Sequence, residues 1–133
     1  MKYAKWFVDR NTVIISLGPG DELIKSLKHI SQSLGFNTAS IVCGIGSFSS
    51  VVYQYGGVDF KLKQNLEILS ISGTIVDGMP HIHVTMIDFD GNVTGGHLYE
   101  GTIYTIGEIT LQKTNLNLFR KQRDGSEFDL ISD

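Results

Sequence analysis

Apolar residues along this chain alternate with polar ones far more often than they recur at helical spacing. In the stretch 81–89, His81, His83, Thr85, Ile87 and Phe89 share one parity and Ile82, Val84, Met86 and Asp88 the other. That is the two-residue period of a strand. Both faces are largely apolar, which predicts a strand in the interior of a sheet. Runs rich in Val, Ile, Thr, Tyr and Phe predict further strands at 6–8, 12–17, 38–43, 48–55, 66–76, 93–98 and 102–112. The chain holds 15 glycines against 2 prolines, and most of those glycines separate these runs. Asp9-Arg10-Asn11, Gly56-Gly57, Asp77-Gly78 and Asp90-Gly91 are the predicted turns.

One segment departs from alternation. Leu23, Ile24, Leu27, Ile30 and Leu34 form the apolar stripe of an amphipathic helix over 21–34. Asp21 and Glu22 suit its positive N-terminal end, and Gly35 suits its C-terminal cap. His29 falls on the polar side with Lys25, Ser26, Gln32 and Ser33, so it reads as a solvated surface histidine. No linker, repeat or low-complexity stretch divides the chain, which predicts one domain over residues 1–133.

The other three histidines change the picture. His81 and His83 point to the same face of one strand, and the Asp90-Gly91 turn folds His97 back toward them. Three converging imidazoles suit zinc or a similar divalent metal and leave a coordination position open. In an oligomer the ligands could also come from two subunits. Against this stands the plainer reading of hydrogen-bonded core or interface histidines.

Glu67, within Leu66-Glu67-Ile68-Leu69, is a charge in an apolar strand and is therefore a candidate catalytic residue. It could orient a histidine ring or act as general base on a metal-bound water; a salt-bridged edge residue is the competing assignment. Gly44-Ile45-Gly46-Ser47 leads into a β-like run and so lacks the helix that a phosphate loop or other cofactor-binding loop needs. It reads as a bend or close packing. Gly95-Gly96 before His97 reads as room for a ligand or a neighbouring chain.

Charge and composition narrow the partners. The 133 residues are 41% hydrophobic and 19% charged, with net charge −3, so nothing draws the chain generally to phosphate backbones. The single cysteine, Cys43, excludes an internal disulfide and reads as a small buried hydrophobe. No signal-like apolar region opens the sequence, and no run reaches the ~20 residues of a membrane span. A cytoplasmic setting is expected. In the tail, Arg120, Lys121 and Arg123 are followed by Glu127, Asp129 and Asp133, which reads as a solvated, neutralised edge.

Several pieces in order resemble the plant-and-prokaryote-conserved (PPC) domain family. They are Gly20-Asp21-Glu22-Leu23, Gly44-Ile45-Gly46-Ser47, the run from Leu66 to Gly73, His81-Ile82-His83, Gly95-Gly96-His97-Leu98, and Phe119-Arg120 with Asp124. The resemblance covers nearly the whole chain. It implies an α+β fold, a twisted, mostly antiparallel β-sheet packed with one main helix, and a homotrimer. Some family members look like metal binders through histidines matched here by His81, His83 and His97. In plants the domain accompanies AT-hook DNA-binding motifs; no AT-hook is present in this chain, and Ser16-Leu17-Gly18-Pro19 stands where a basic residue is usual.

The expected function is therefore a trimeric binding protein with a three-histidine zinc-type site, of ligand-sensing or scaffolding role and open to a small-molecule ligand. The alternatives are a DNA-associated regulator and a metal-dependent hydrolase using Glu67.

Overall fold

The computed structural model describes residues 1–125 and 128–133. Its elements run β1 (Lys5–Asp9), β2 (Thr12–Leu17), α1 (Leu23–Leu34), β3 (Ala39–Tyr55), β4 (Val58–Leu62), β5 (Leu66–Val76), β6 (Met79–Ile87), β7 (Val93–Lys113), β8 (Leu118–Gln122) and β9 (Phe128–Ser132). The first seven strands form one sheet in the order β1-β2-β7-β6-β5-β3-β4, and β7 also pairs with β3. That extra pairing closes β7, β6, β5 and β3 into a ring, and every named pairing is antiparallel. One helix and a mostly antiparallel sheet is the architecture the sequence predicts.

The core explains the alternation. Ile82, Val84 and Met86 of β6 are buried, as are Val13, Ile15 and Leu17 of β2, and Leu23, Leu27 and Ile30 of α1 join them. β6 is interior, between β5 and β7. It ends at Ile87, so Phe89 is not a strand residue but a turn residue, 87% exposed. Asp88 fixes that turn by accepting the backbone N–H groups of Asp90 and Asn92, each at 2.9 Å.

Two pairs of expected strands are single long strands. Gly44-Ile45-Gly46-Ser47 lies inside the 17-residue β3, and residues 99–101 lie inside the 21-residue β7. The bends appear as register shifts, between Ile41/Cys43, Gly46/Phe48, Phe48/Ser50 and Val52/Tyr53. Bulges curve a strand without ending it. At Gly46 a side chain would collide with the Ile106 carbonyl, the close-packing role expected of that loop.

The shift after Ile41 also overturns the expectation for Cys43. Val42 and Cys43 both face outward, and Cys43 is exposed rather than buried.

The helix begins at Leu23 rather than Asp21. Glu22 is its cap, accepting from Ile24 N at 2.8 Å and Lys25 N at 3.1 Å, and Gly35 ends it in a left-handed conformation. Asp21 is buried and accepts Gly18 N at 2.9 Å. Ser26, expected on the polar side, is buried with its hydroxyl on the Glu22 carbonyl at 2.6 Å. His29 is exposed, as expected, and meets the edge of Trp6.

β8 and β9 form a separate two-stranded hairpin, where a solvated edge was expected. Arg123 of the basic run pairs with Asp129 at 3.1 Å, and Glu127 lies outside the described residues. Among the described residues no helix is long and apolar enough to cross a membrane.

Candidate metal centre

Strand pairing builds the histidine cluster. His81 and His83 lie two apart on β6, and His83 is directly opposite His97 on β7. Directly opposed residues bring their Cβ atoms to about 4.5–5.5 Å. Ile82 between the two β6 histidines is fully buried, which turns both imidazoles to the outer face.

The rings lie close together. Ring centroids are 4.4 Å apart for His81–His97, 5.3 Å for His81–His83 and 5.6 Å for His83–His97. One ring nitrogen from each histidine lies within 4.8 Å of the others. Zinc bound at about 2.0–2.1 Å in tetrahedral geometry holds its nitrogens roughly 3.3 Å apart. Small side-chain rotations close the difference. Among the described residues no carboxylate or thiol belongs to the group, and three neutral imidazoles with an open position are a donor set that zinc accepts. The residues present fit such an ion.

Neighbouring residues hold the rings in place. Tyr99 stacks on His97 with centroids 4.6 Å apart. Its hydroxyl donates to Gln54 at 3.2 Å, and Gln54 donates to Asp59 on β4 at 3.0 Å. On the other side Thr74 is the cross-strand partner of His81. Arg120 of β8 donates to the Thr74 hydroxyl at 3.0 Å.

Gly96, next to His97, has a packing reason. A side chain there would strike the Gln54 carbonyl, and one at Gly95 would strike the Val84 carbonyl. These glycines let β7 approach β3 and β6, and both also line a groove that opens beside His83.

Burial is the first cause that lowers the pKa of His81 from its ordinary value, followed by the charges of His97, Arg120 and His83. Burial is again first for His97, followed by His83 and Arg120. Both imidazoles therefore favour the neutral, ligating form.

The shift has a stability consequence. The unfolded chain, with imidazole pKa about 6.5, binds protons that the folded one resists. This contribution is complete above that value and is lost as pH falls through the depressed folded values. The denaturation midpoint of the metal-free protein, measured in urea with chelator present, should fall between about pH 7 and pH 5, and His97→Gln should flatten that slope. A parent slope no steeper than that of His97→Gln would contradict the assignment.

Glu67 is not brought to the histidines. It pairs with Ile87 on β6, four residues beyond His83, or ~13 Å along the strand. It lies instead beside a groove of about 450 Å³ edged by Ile45, Ser47, Asp88, Phe89, Tyr104 and Ile106.

Two contributors were not found from sequence. Arg120 reaches the cluster from the far end of the chain, and its places in a basic run and among the pieces of the family resemblance did not point to the histidines. Tyr99 carries the two-residue spacing from His97 that could have placed it on the same face.

Comparison with known proteins agrees on the fold. A family model described as the Plants and Prokaryotes Conserved (PCC) domain matches residues 8–115. A plant- and prokaryote-conserved protein of Pyrococcus horikoshii is 25% identical with TM-score 0.72, covering 93% of this chain and 91% of its own. A metal-containing protein of Archaeoglobus fulgidus is 26% identical with TM-score 0.75, covering 96% of each chain. A candidate DNA-binding protein of Bacteroides thetaiotaomicron is 20% identical with TM-score 0.89 over 97% of each chain, a likeness of fold. Among curated relatives, the bifunctional protein GlmU of a Synechococcus strain is 31% identical over 113 residues. The match spans 83% of this chain but 18% of that protein.

Proposed function

This chain belongs to the Plants and Prokaryotes Conserved (PCC) domain family, and from that footing we propose that it is a homotrimeric metal-binding protein of ligand-sensing or scaffolding role. His81, His83 and His97 hold a zinc-type ion in or near a cleft between subunits. The observation that carries the reading is the convergence of three ring nitrogens within 4.8 Å on one face of β6 and β7. The similarity to a metal-containing protein of Archaeoglobus fulgidus supports it. The ion would supply a Lewis-acidic position for a small ligand.

The trimer rests on the outer face of the sheet. Ile45 is 60% exposed, Leu69 51% and Tyr104 44%, an apolar surface of the kind that marks an interface. Further copies of this chain would cover it, completing the twisted sheet. A reducing, cytoplasmic setting suits the exposed free thiol of Cys43.

Glu67, the candidate base for hydrolysis, stands about 13 Å along the strand from His83 in its own subunit, which favours binding over hydrolysis.

Zinc binding stabilises the folded state by mass action. The thermal midpoint should rise when zinc is added and return when a chelator follows. A midpoint indifferent to both would overturn the metal site.

DNA is the second reading, since a Ralstonia eutropha protein named as a candidate DNA-binding protein is 25% identical with TM-score 0.80. Charge opposes it. The net charge is −3, and Arg123 is paired with Asp129. Few phosphates could be neutralised, so a duplex column should not retain the protein at ~150 mM salt. Retention at that salt would favour the DNA reading.

A further inference from the structure

We infer that Arg120 makes the histidine site a receptor for a small oxyanion, a carboxylate or phosphate group bound jointly by the metal and the guanidinium. The inference rests on the metal reading above and names the class of ligand for that same site.

The first ground is position. Arg120 lies on β8, outside the main sheet, yet its guanidinium donates to Thr74 at 3.0 Å. Thr74 is the cross-strand partner of His81. The side chain is thus laid across β5 beside the cluster, and its charge is felt by both His81 and His97. Its charge favours the neutral imidazoles before an ion is bound, but beside a bound cation it is repelled unless an anion lies between the two.

The second ground is charge balance. Among the described residues the donor set contains no carboxylate. Three neutral imidazoles leave the ion's charge uncompensated, and Arg120 adds one more positive charge. Among the described residues Arg120 has no carboxylate partner; its described hydrogen bond is to a neutral hydroxyl. A site built this way takes its missing negative charge from outside. The planar guanidinium fork matches the two oxygens of a carboxylate or phosphate, and one oxygen remains for the metal's open position.

The third ground is the space available. A groove of about 430 Å³ opens beside His83, edged by the hydroxyl residues Ser70, Ser72, Thr85 and Thr94. These groups can donate to or accept from a small polar ligand body, and they add no negative charge to repel it. Carboxylates and phosphates share the recognised chemistry, and direct titration separates them.

The test uses the full chain loaded with cobalt(II), whose visible absorption reports its coordination. Metal content is measured first. The loaded protein is then titrated separately with acetate and with inorganic phosphate. The expected result is a saturable spectral change. Acetate alone producing it assigns a carboxylate, and phosphate alone assigns a phosphoryl group.

Arg120→Gln should keep its cobalt and bind the effective anion roughly ten- to a hundred-fold more weakly, the usual loss for a charge-assisted pair. Should Arg120→Gln fail to fold or to load, Arg120→Lys carries the comparison. It keeps the charge without the fork and should bind more weakly than the parent.

A loaded parent whose spectrum ignores both anions, or a loaded variant that binds them equally well, overturns this inference and leaves the metal site standing. A parent that takes up no cobalt overturns both.

Discussion

Replacing any one of His81, His83 or His97 with alanine should strip most of the metal from the protein while leaving the fold intact. A three-ligand site has no spare donor. Losing an outer partner of a ligand already costs roughly 10- to 100-fold in metal affinity, and losing the ligand itself costs more. The fold should tolerate the change because these rings face outward. His83 is exposed, and His81 and His97 are half-buried. Ile82, between them in sequence, is fully buried, and Ile82→Ala should cost about 2–5 kcal/mol in stability. His29→Ala, on the exposed face of the helix, should change neither property. Metal content and urea unfolding measured on the same five proteins separate the cases. Histidine variants that keep their metal, or that unfold as readily as Ile82→Ala, would remove the cluster from the metal-binding role.

A charge placed on the outer apolar face should break the assembly. Ile45 is 60% exposed and Ile106 is 40% exposed, and both edge the groove beside Glu67. Neither is needed for the internal core, so an aspartate at either position should leave the monomer folded. Within an interface the same carboxylate is buried without a partner, which costs several kcal/mol per copy. Light scattering should give about three times the 14.7 kDa of one chain for the parent and a single chain for Ile45→Asp or Ile106→Asp. A parent of single-chain mass at micromolar concentration would refute the trimer.

The strands that carry the histidines were legible because their signal is local. His81 and His83 share a face through the two-residue period, and Asp90-Gly91 is a turn that returns the chain beside them. Arg120 was not legible, because its place beside His81 depends on a hairpin some forty residues later folding back over β5. The strand Val58–Leu62 was missed for a different reason. Its sequence, Val58-Asp59-Phe60-Lys61-Leu62, alternates, but it follows two glycines and carries two charges, which resembles a loop.

Cys43 and Val42 show a further limit. An apolar residue on a strand reads as core, yet an assembly surface is built from the same residues. The bulge after Ile41 sends both side chains outward, and no pattern in that run announces a bulge.

The central claim is that three imidazoles on β6 and β7 hold a metal ion. Elemental analysis tests it most directly, on protein purified without an affinity tag or chelator, offered zinc and then dialysed. The account predicts one zinc per chain, lost together with each of the three histidines. A well-folded parent that retains no zinc, with His81→Ala, His83→Ala and His97→Ala losing only stability, would make these histidines structural and contradict the account.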